Sequence, residues 1–423
     1  MRITLCSLST MLGGVELRMA LEARLLKRVG HKVSIAINLY PGLNEWSQTL
    51  RNDGIPVNHY DPEPIFEQWW WYRKHPFWNR YIFEPLNVNY RVWSFCRWMN
   101  KFIAKRQASD LFSRTTPDLI HIAIPWSGFE TTRLYLAHAH KLPIVMSVHN
   151  AFPEAGWSTW DRKHYLAAFS SVRGIYAVSQ SALDCFVNLY GDFIRPKTAL
   201  HVIHNSVDTV RFKPDASRRA AARKKFNVPM DAPVVGFVGR IEKQKRPESV
   251  IEVFAKLVHR HGSVYLMMVG SGPLEKTVRQ KVADLGLSDR VVFAGWQSNV
   301  EDLIPAFDVV LQLSNNEGFG TSTAEAMACG VPVIGTDVPG TRDILQKGRG
   351  GILVPLNDEE AAANACSLLI QDRCVRLRLG EEARLEAIEQ YEEAVWENKI
   401  LNFYEQIFPD FSTAADPRRE HPV

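Results

Sequence analysis

The sequence predicts an α/β protein made of two parallel-sheet domains that face each other across a cleft. Short apolar strand patterns alternate with amphipathic helical ones. The alternation stops and then starts afresh half-way along the chain. The strands read as near-continuous apolar runs, the pattern of a sheet covered by helices on both faces. In the first half, strands are expected at 3–8, 32–37, 118–124, 143–148 and 174–178, with helices at 15–29 and near 129–140. The second half restarts at 233–239 and continues through strands at 264–269, 290–294, 308–313, 331–335 and 351–354. Two Rossmann-like domains follow from this order. The first is expected over 1–207 and the second over 208–390, with 211–233 a polar, basic, proline-containing linker. The charged, proline-rich end, 409–423, reads as a tail.

A chain of 423 residues has room for a core in each domain. Its composition, 46% hydrophobic and 23% charged, is that of an ordinary globular protein. A net charge of +4 gives no general case for nucleic acid. The six cysteines form no Cys-x-x-Cys pair and read as reduced thiols. With the opening residues already a strand and no long apolar run, the expectation is a cytoplasmic protein without signal peptide or membrane span.

One segment breaks the alternation. Between 62 and 110 lie Trp69, Trp70, Trp71, Trp78, Trp93 and Trp98, with Arg73, Lys74, Arg80, Arg91, Arg97, Lys101, Lys105 and Arg106 among them. Tryptophan favours the membrane interface, and basic side chains favour anionic headgroups. Peripheral contact with the inner face of a membrane therefore competes evenly with a plain helical insertion packed on the first domain. Single-stranded nucleic acid suits such interleaving too, but nothing else in the chain supports it, and no nucleic-acid partner is expected.

The most informative stretch is Glu317-Gly-Phe-Gly-Thr-Ser-Thr-Ala-Glu325. A strand leads into a glycine-rich turn, and a helix leaves it at Thr321. Bare backbone N–H groups at a helix N-terminus suit phosphate. Glu325 falls about one turn into the helix, placed to accept hydrogen bonds from a vicinal diol. Glu317 stands at a strand end, where open α/β sheets bind their ligands. Phosphate, diol and a second hydroxyl-binding carboxylate together describe a nucleotide sugar.

This stretch resembles the Glu-x7-Glu motif of the family-four retaining glycosyltransferases, which have the GT-B fold. Gly239-Arg240 with Lys245 resembles that family's diphosphate-binding pair, although Arg246 stands where a glycine is usual. Gly13-Gly14-Val15-Glu16 resembles its N-terminal glycine loop, and Ser147-Val148-His149-Asn150 its strand-end histidine. His204-Asn205-Ser206-Val207-Asp208, Gly270-Ser-Gly-Pro and Gly350-Gly-Ile-Leu also fit, in the family's order. The resemblance implies a retaining transfer of sugar from a nucleoside diphosphate to a hydroxyl of a glycan or lipid-linked glycan. It assigns Glu325 to the ribose hydroxyls, Glu317 to the donor sugar, and the backbone of Gly318, Phe319, Gly320 and Thr321 to sugar and phosphates. Arg240 and Lys245 would meet charge growing on the leaving phosphate. His149 would hold a sugar hydroxyl near the reacting carbon. Gly14 would let backbone approach the diphosphate or the acceptor. The family also implies that the last helix, near 391–408, crosses back to the first domain.

Blander readings stand beside each residue. Glu325 alone would be a surface carboxylate at a helix start, and Glu317 a loop residue. Arg240 and Lys245 alone would be solvated cations. His149 alone would be a structural histidine, and Gly14 part of a tight turn. Trp296, after the strand at 290–294, suits stacking on the nucleotide base and core packing equally. No Asp-x-Asp occurs, so neither a bound metal nor a cofactor is expected. His-Glu-x-x-His, Gly-x-Ser-x-Gly and a complete Gly-x-Gly-x-x-Gly are absent too. Rival readings are a nucleotide-sugar epimerase of related fold and a nucleotide-sugar-binding regulator.

Overall fold

The computed structural model describes residues 1–7, 12–38, 41–59, 102, 105–125, 134, 137–151, 162–345 and 348–411. The tryptophans of the 62–110 segment, most of the helix expected near 129–140, and the tail from 412 on lie outside the described residues. The chain forms two compact units. One comprises Met1–Ala177, Leu183–His201 and Asn402–Val423; the other comprises Val178–Ala182 and Val202–Leu401. The second unit thus starts ahead of position 208 and takes in a short earlier segment.

The first sheet is built from β1 (Arg2–Ser7), β2 (Lys32–Ile37), β3 (Val57–His59), β4 (Leu119–Ile124), β5 (Ile144–Val148), β6 (Val172–Ala177) and β7 (Ala199–Val202). The helices are α1 (Gly14–Arg28), α2 (Asn44–Asn52), α3 (Arg162–Phe169) and α4 (Gln180–Tyr190). The strand order is β3-β2-β1-β4-β5-β6-β7, and the registered pairs from β3 to β6 are parallel. The sequence reading found the apolar strands and missed the two at the edges. Every residue of β4 and β5 is buried, so these strands are apolar but for His121 and Ser147. Edge strand β7 has no fully buried residue, and β3 is three residues long, so neither leaves an apolar signature.

The second unit repeats the plan. Its strands are β8 (Val234–Val238), β9 (Tyr265–Val269), β10 (Val291–Gly295), β11 (Val309–Gln312), β12 (Val333–Thr336) and β13 (Gly351–Val354), in the order β10-β9-β8-β11-β12-β13. The helices are α5 (Ala216–Lys225), α6 (Pro247–His261), α7 (Glu275–Asp284), α8 (Thr321–Ala328), α9 (Thr341–Leu345), α10 (Glu359–Gln371), α11 (Arg373–Tyr391) and α12 (Glu393–Ile407). Val235, Phe237, Leu266, Met268, Val309 and Leu311 of the sheet bury against Val250, Phe254 and Leu257 of α6. In both sheets the winding direction reverses at one point, between β1 and β4 and between β8 and β11. Open α/β sheets bind ligands at the carboxyl ends of the strands beside such a reversal. Helix α12 belongs to the second unit up to Leu401 and to the first from Asn402 on.

The expected linker over 211–233 needs correction, because much of it is integral to the second unit. Asp215 caps α5 by accepting from the backbone N–H groups of Ser217 and Arg218. The side chain of Arg223, wholly buried, donates to the carbonyls of Ala306, Pro229, Met230 and Ala232 and to Asp308. Its basic character served charge-assisted bonding rather than solvation. Arg223→Ala would strand the carbonyls of Pro229, Met230 and Ala232, while Asp308 keeps Arg219 and the backbone N–H of Val234. The expected loss of stability is about 1–3 kcal/mol, the scale for leaving buried acceptors without their donor. Chemical denaturation of the variant measures it. Among the described residues, no helix is long and apolar enough to cross a membrane.

Candidate functional site

The loops that follow β8 and β11 lie side by side because those two strands are neighbours. Backbone N–H of Asn315 donates to the carbonyl of Gln244 at 2.8 Å. The Gln244 side chain donates to the carbonyl of Asn316 at 2.9 Å, and the Asn315 amide to the carbonyl of Lys243 at 3.1 Å. This lacing brings two expected site residues together. Lys245 Nζ donates to Glu317 Oε1 at 2.6 Å, with only 14% of the lysine side chain and 8% of the glutamate side chain exposed.

Glu317 is held by more than the lysine. Gln312 Nε2 and Ser314 Oγ also donate to Oε1, at 2.8 and 2.6 Å. Oε2 has no partner among the described residues and is the oxygen left for a ligand hydroxyl. The backbone behind it is equally fixed. Gly340 has φ +79°, and a Cβ there would stand 2.4 Å from the carbonyl oxygen of Glu317. The sequence reading missed Gln312 and Ser314. Their signal was present: two polar residues at alternate positions, wholly inside an otherwise apolar, buried strand end.

Beyond Glu317 the chain turns into α8. Gly320 sits at its N-cap with φ +87°, a left-handed conformation that glycine adopts without strain, and offers no capping side chain. Among the described residues, the backbone N–H groups of Thr321 and Ser322 meet no acceptor. Phe319 anchors the turn. Its ring is buried and packs on His204 at 5.6 Å and on Tyr391 at 5.2 Å. The turn therefore carries its donors on a fixed backbone.

Glu325, one turn into α8, is half-buried. Burial pushes its carboxyl up to about 7; nearby Glu301 adds to this, while Arg211 and Lys245 oppose it. Arg211 itself grips Glu301 with two N–H groups, at 2.7 and 2.9 Å. That hydrogen bonding raises Arg211 and, against the effect of burial, holds Glu301 below the usual carboxylate range. The pair thus sets the field at Glu325, and nothing in the local sequence foretold it.

Arg240 is half exposed and pairs with Glu242 at 2.6 Å. Trp296 is 72% exposed, so the core-packing reading fails for it, and its ring is free to stack. In the first unit, a Cβ at Gly14 would meet no described atom within 4 Å, so packing does not demand a glycine there. His149 follows β5, and its Nε2 lies 2.9 Å from Ser147 Oγ. Burial, helped by Arg18 and His121, pulls the ring down to about 3, so it is neutral at working pH.

Two family models match the chain. The one described as "Glycosyltransferase Family 4" spans residues 12–211, and "Glycosyl transferases group 1" spans 218–386. The chain belongs to the group 1 glycosyltransferases. Among curated members, N-acetyl-alpha-D-glucosaminyl L-malate synthase of Bacillus anthracis is 33% identical over 56% of this chain and 59% of its own length. A lipopolysaccharide core biosynthesis glycosyltransferase of Rhizobium meliloti is 33% identical over 46% of this chain and 54% of its own. The chain thus spans between half and three fifths of these two relatives. Whole-chain likeness comes from solved structures. The Anabaena protein HepE, solved with UDP, matches at TM-score 0.72 and 20% identity, covering 96% of this chain and 100% of that one. A glycosyltransferase from Rickettsia africae matches at 0.75 and 19% identity, covering 97% and 99%. At such identity these structures show the fold, which is GT-B.

Proposed function

We propose that this group 1 glycosyltransferase moves a sugar from a nucleoside diphosphate donor to a hydroxyl of a glycan or lipid-linked glycan, in the synthesis of cell-surface polysaccharide or glycolipid. One observation carries the reading: Lys245 and Glu317 meet beside the uncapped N-terminus of α8, with Glu325 one turn further on. These groups match a donor's parts. The N–H groups at Thr321, with Lys245 and Arg240, take the diphosphate. Glu325 takes the ribose hydroxyls, Trp296 stacks on the base, and Glu317 Oε2 accepts from the sugar. That the Anabaena and curated relatives bear UDP or sugar-transfer names supports the assignment.

Transfer breaks the bond between the anomeric carbon and the diphosphate oxygen. A bond to the acceptor oxygen forms on the same face, and the acceptor proton passes to the departing phosphate. Charge grows on that phosphate in the transition state, so fixed cations there lower the barrier. Lys245 has donors to spare, because an ammonium carries three and Glu317 takes one. The fixed cations would perform the charge neutralisation that a metal ion supplies in other enzymes. Turnover should accordingly survive excess chelator, and proton NMR of the first-formed product should show the donor's anomeric configuration. An inverted product would overturn the retaining mechanism. Loss of activity to chelator, restored by magnesium or manganese, would overturn the assignment of these cations as sufficient. Hydrolysis or epimerisation without transfer would overturn the acceptor class.

A further inference from the structure

Arg246, which stands where the family motif usually has glycine, follows Lys245 directly, and the sugar-transfer chemistry leaves it unused. It ends the tight turn Lys243–Lys245 and begins α6, at φ +46° and ψ +53°. That left-handed conformation suits glycine and strains a residue with a Cβ. Pro247 follows, and a residue before proline is pushed toward extended backbone. Strain of this kind persists only where the surroundings over-determine it. Here the side chain supplies the hold. Arg246 Nη2 donates to Glu359 Oε1 at 2.7 Å, with 13% and 21% of the two side chains exposed. Glu359 opens α10, whose first turn is capped by Asp358 accepting from the backbone N–H of Ala361. Burial alone would raise the Glu359 carboxyl, but its own backbone N–H, Ser249 and Arg246 outweigh it and hold it below the usual range. Further along the same two helices, Lys256 and Arg260 reach Glu360, a carboxylate more than half exposed. Water-screened pairs of that kind contribute little. The enclosed pair is the one beside Lys245.

We infer that Arg246 is a positioning residue for Lys245: clamped on Glu359, it pins the left-handed turn that aims the lysine ammonium into the diphosphate site. The lysine is then held along its whole length. Its stem runs over Gly239, where a Cβ would stand 3.4, 3.6 and 3.8 Å from Cε, Cδ and Cγ. Its ammonium donates to Glu317. Its backbone N–H donates to the carbonyl of Glu242 at 3.0 Å, and the residue that follows is the clamped one. A glycine at 246 would enter the same turn freely and leave it as freely. Arginine enters it under strain and, once paired with Glu359, stays. The difference matters for catalysis, because a fixed charge lowers a barrier most when it need not reorganise during the reaction. The guanidinium is spent on Glu359, so Arg246 acts through Lys245 and not on the substrate.

The effect on catalysis rests on the sugar-transfer reading; the clamp does not. In Arg246→Ala the strain stays and the clamp goes. Turnover should fall on the order of 10–100-fold, the scale for removing an outer partner that orients a site group. Affinity for whichever of UDP, GDP and ADP the parent binds should change only a few-fold. Arg246→Gly removes clamp and strain together and should recover most of the lost turnover. A residue that merely tied α6 to α10 would give the opposite order, since glycine loses more freedom on folding than alanine. Glu359→Ala should behave as Arg246→Ala does, and carries the test should that variant fail to fold. Adding Arg246→Gly to it should restore turnover to the level of Arg246→Gly alone. Side-chain 15N NMR of the ligand-free proteins reads the lysine without any turnover. The Lys245 ammonium, slowed in proton exchange by Glu317, is the signal missing from Lys245→Ala. It should be present in the parent and in Arg246→Gly, and lost in Arg246→Ala and Glu359→Ala. Equal losses of turnover in the alanine and glycine variants, no slowed ammonium in the parent, or one that survives in Arg246→Ala and Glu359→Ala would each overturn the inference. If the parent transfers no sugar while the ammonium signal follows the expected order, the functional reading fails and the positioning role stands.

Discussion

Lys245→Ala should lower turnover on the order of 10²–10³-fold, while affinity for the sugar-free nucleoside diphosphate changes only a few-fold. The lysine is nearly enclosed and is fixed by Glu317 at 2.6 Å, so it is oriented before any ligand arrives. A preorganised charge aimed at a leaving group acts on charge that is small in the ground state and large in the transition state. Arg240→Ala should act in the same sense and less strongly, since that side chain is half exposed and its field is screened by water. Steady-state kinetics paired with calorimetric titration of the diphosphate would separate the two effects. Equal losses in affinity and turnover would mean that the lysine only binds. Near-parental turnover would remove it from the phosphate site.

Glu325→Gln should stabilise the ligand-free protein at pH 8 and weaken its hold on the nucleotide. The sign follows from the carboxyl's rise from an ordinary 4.5 to about 7. A folded state that binds its proton more tightly than the unfolded chain is favoured below about pH 4.5. It loses that advantage as pH climbs through 7. At pH 8 the ionised, half-buried carboxylate costs on the order of 1–3 kcal/mol, which glutamine avoids. Melting temperature should rise by several degrees at pH 8 and hardly at pH 5. Diphosphate affinity at pH 8 should fall on the order of 10–100-fold, because hydrogen bonds to a charged acceptor contribute about 1.5–3 kcal/mol. A variant no more stable at pH 8 would refute the burial account. One that binds as tightly as the parent would refute the ribose assignment.

Much of this was legible in the residues. Parallel strands buried on both faces are largely apolar, which is why β4, β5, β8 and β11 stood out despite His121, Ser147 and Gln312. Glu317 and Glu325 could be singled out because they flank a glycine turn between a strand end and a helix start. What escaped depended on distant pairing. Arg211 and Glu301 are ninety positions apart and become a unit only through the fold. Tyr404 meets Glu22 across most of the chain. Gln312 and Ser314 were visible as polar residues in an apolar strand, yet only the geometry shows both turned toward one oxygen of Glu317. The linker reading of 211–233 failed because a run of arginines looks solvated until its carbonyl acceptors are known.

The lacing of the loops after β8 and β11 has a thermodynamic consequence. Gln244, Asn315 and Asn316 tie the two segments with backbone and amide bonds that need no ligand. Conformational freedom that a looser pair of loops would surrender on meeting its donor has here been surrendered already, when the domain folded. Nucleotide capture should therefore carry a small entropic penalty at these loops, and their amide hydrogens should exchange at nearly the same rate before and after the diphosphate arrives. It also means that Glu317 and Lys245 stay in register whatever sugar the nucleotide brings, which leaves discrimination between sugars to groups that are less tightly bound to the frame.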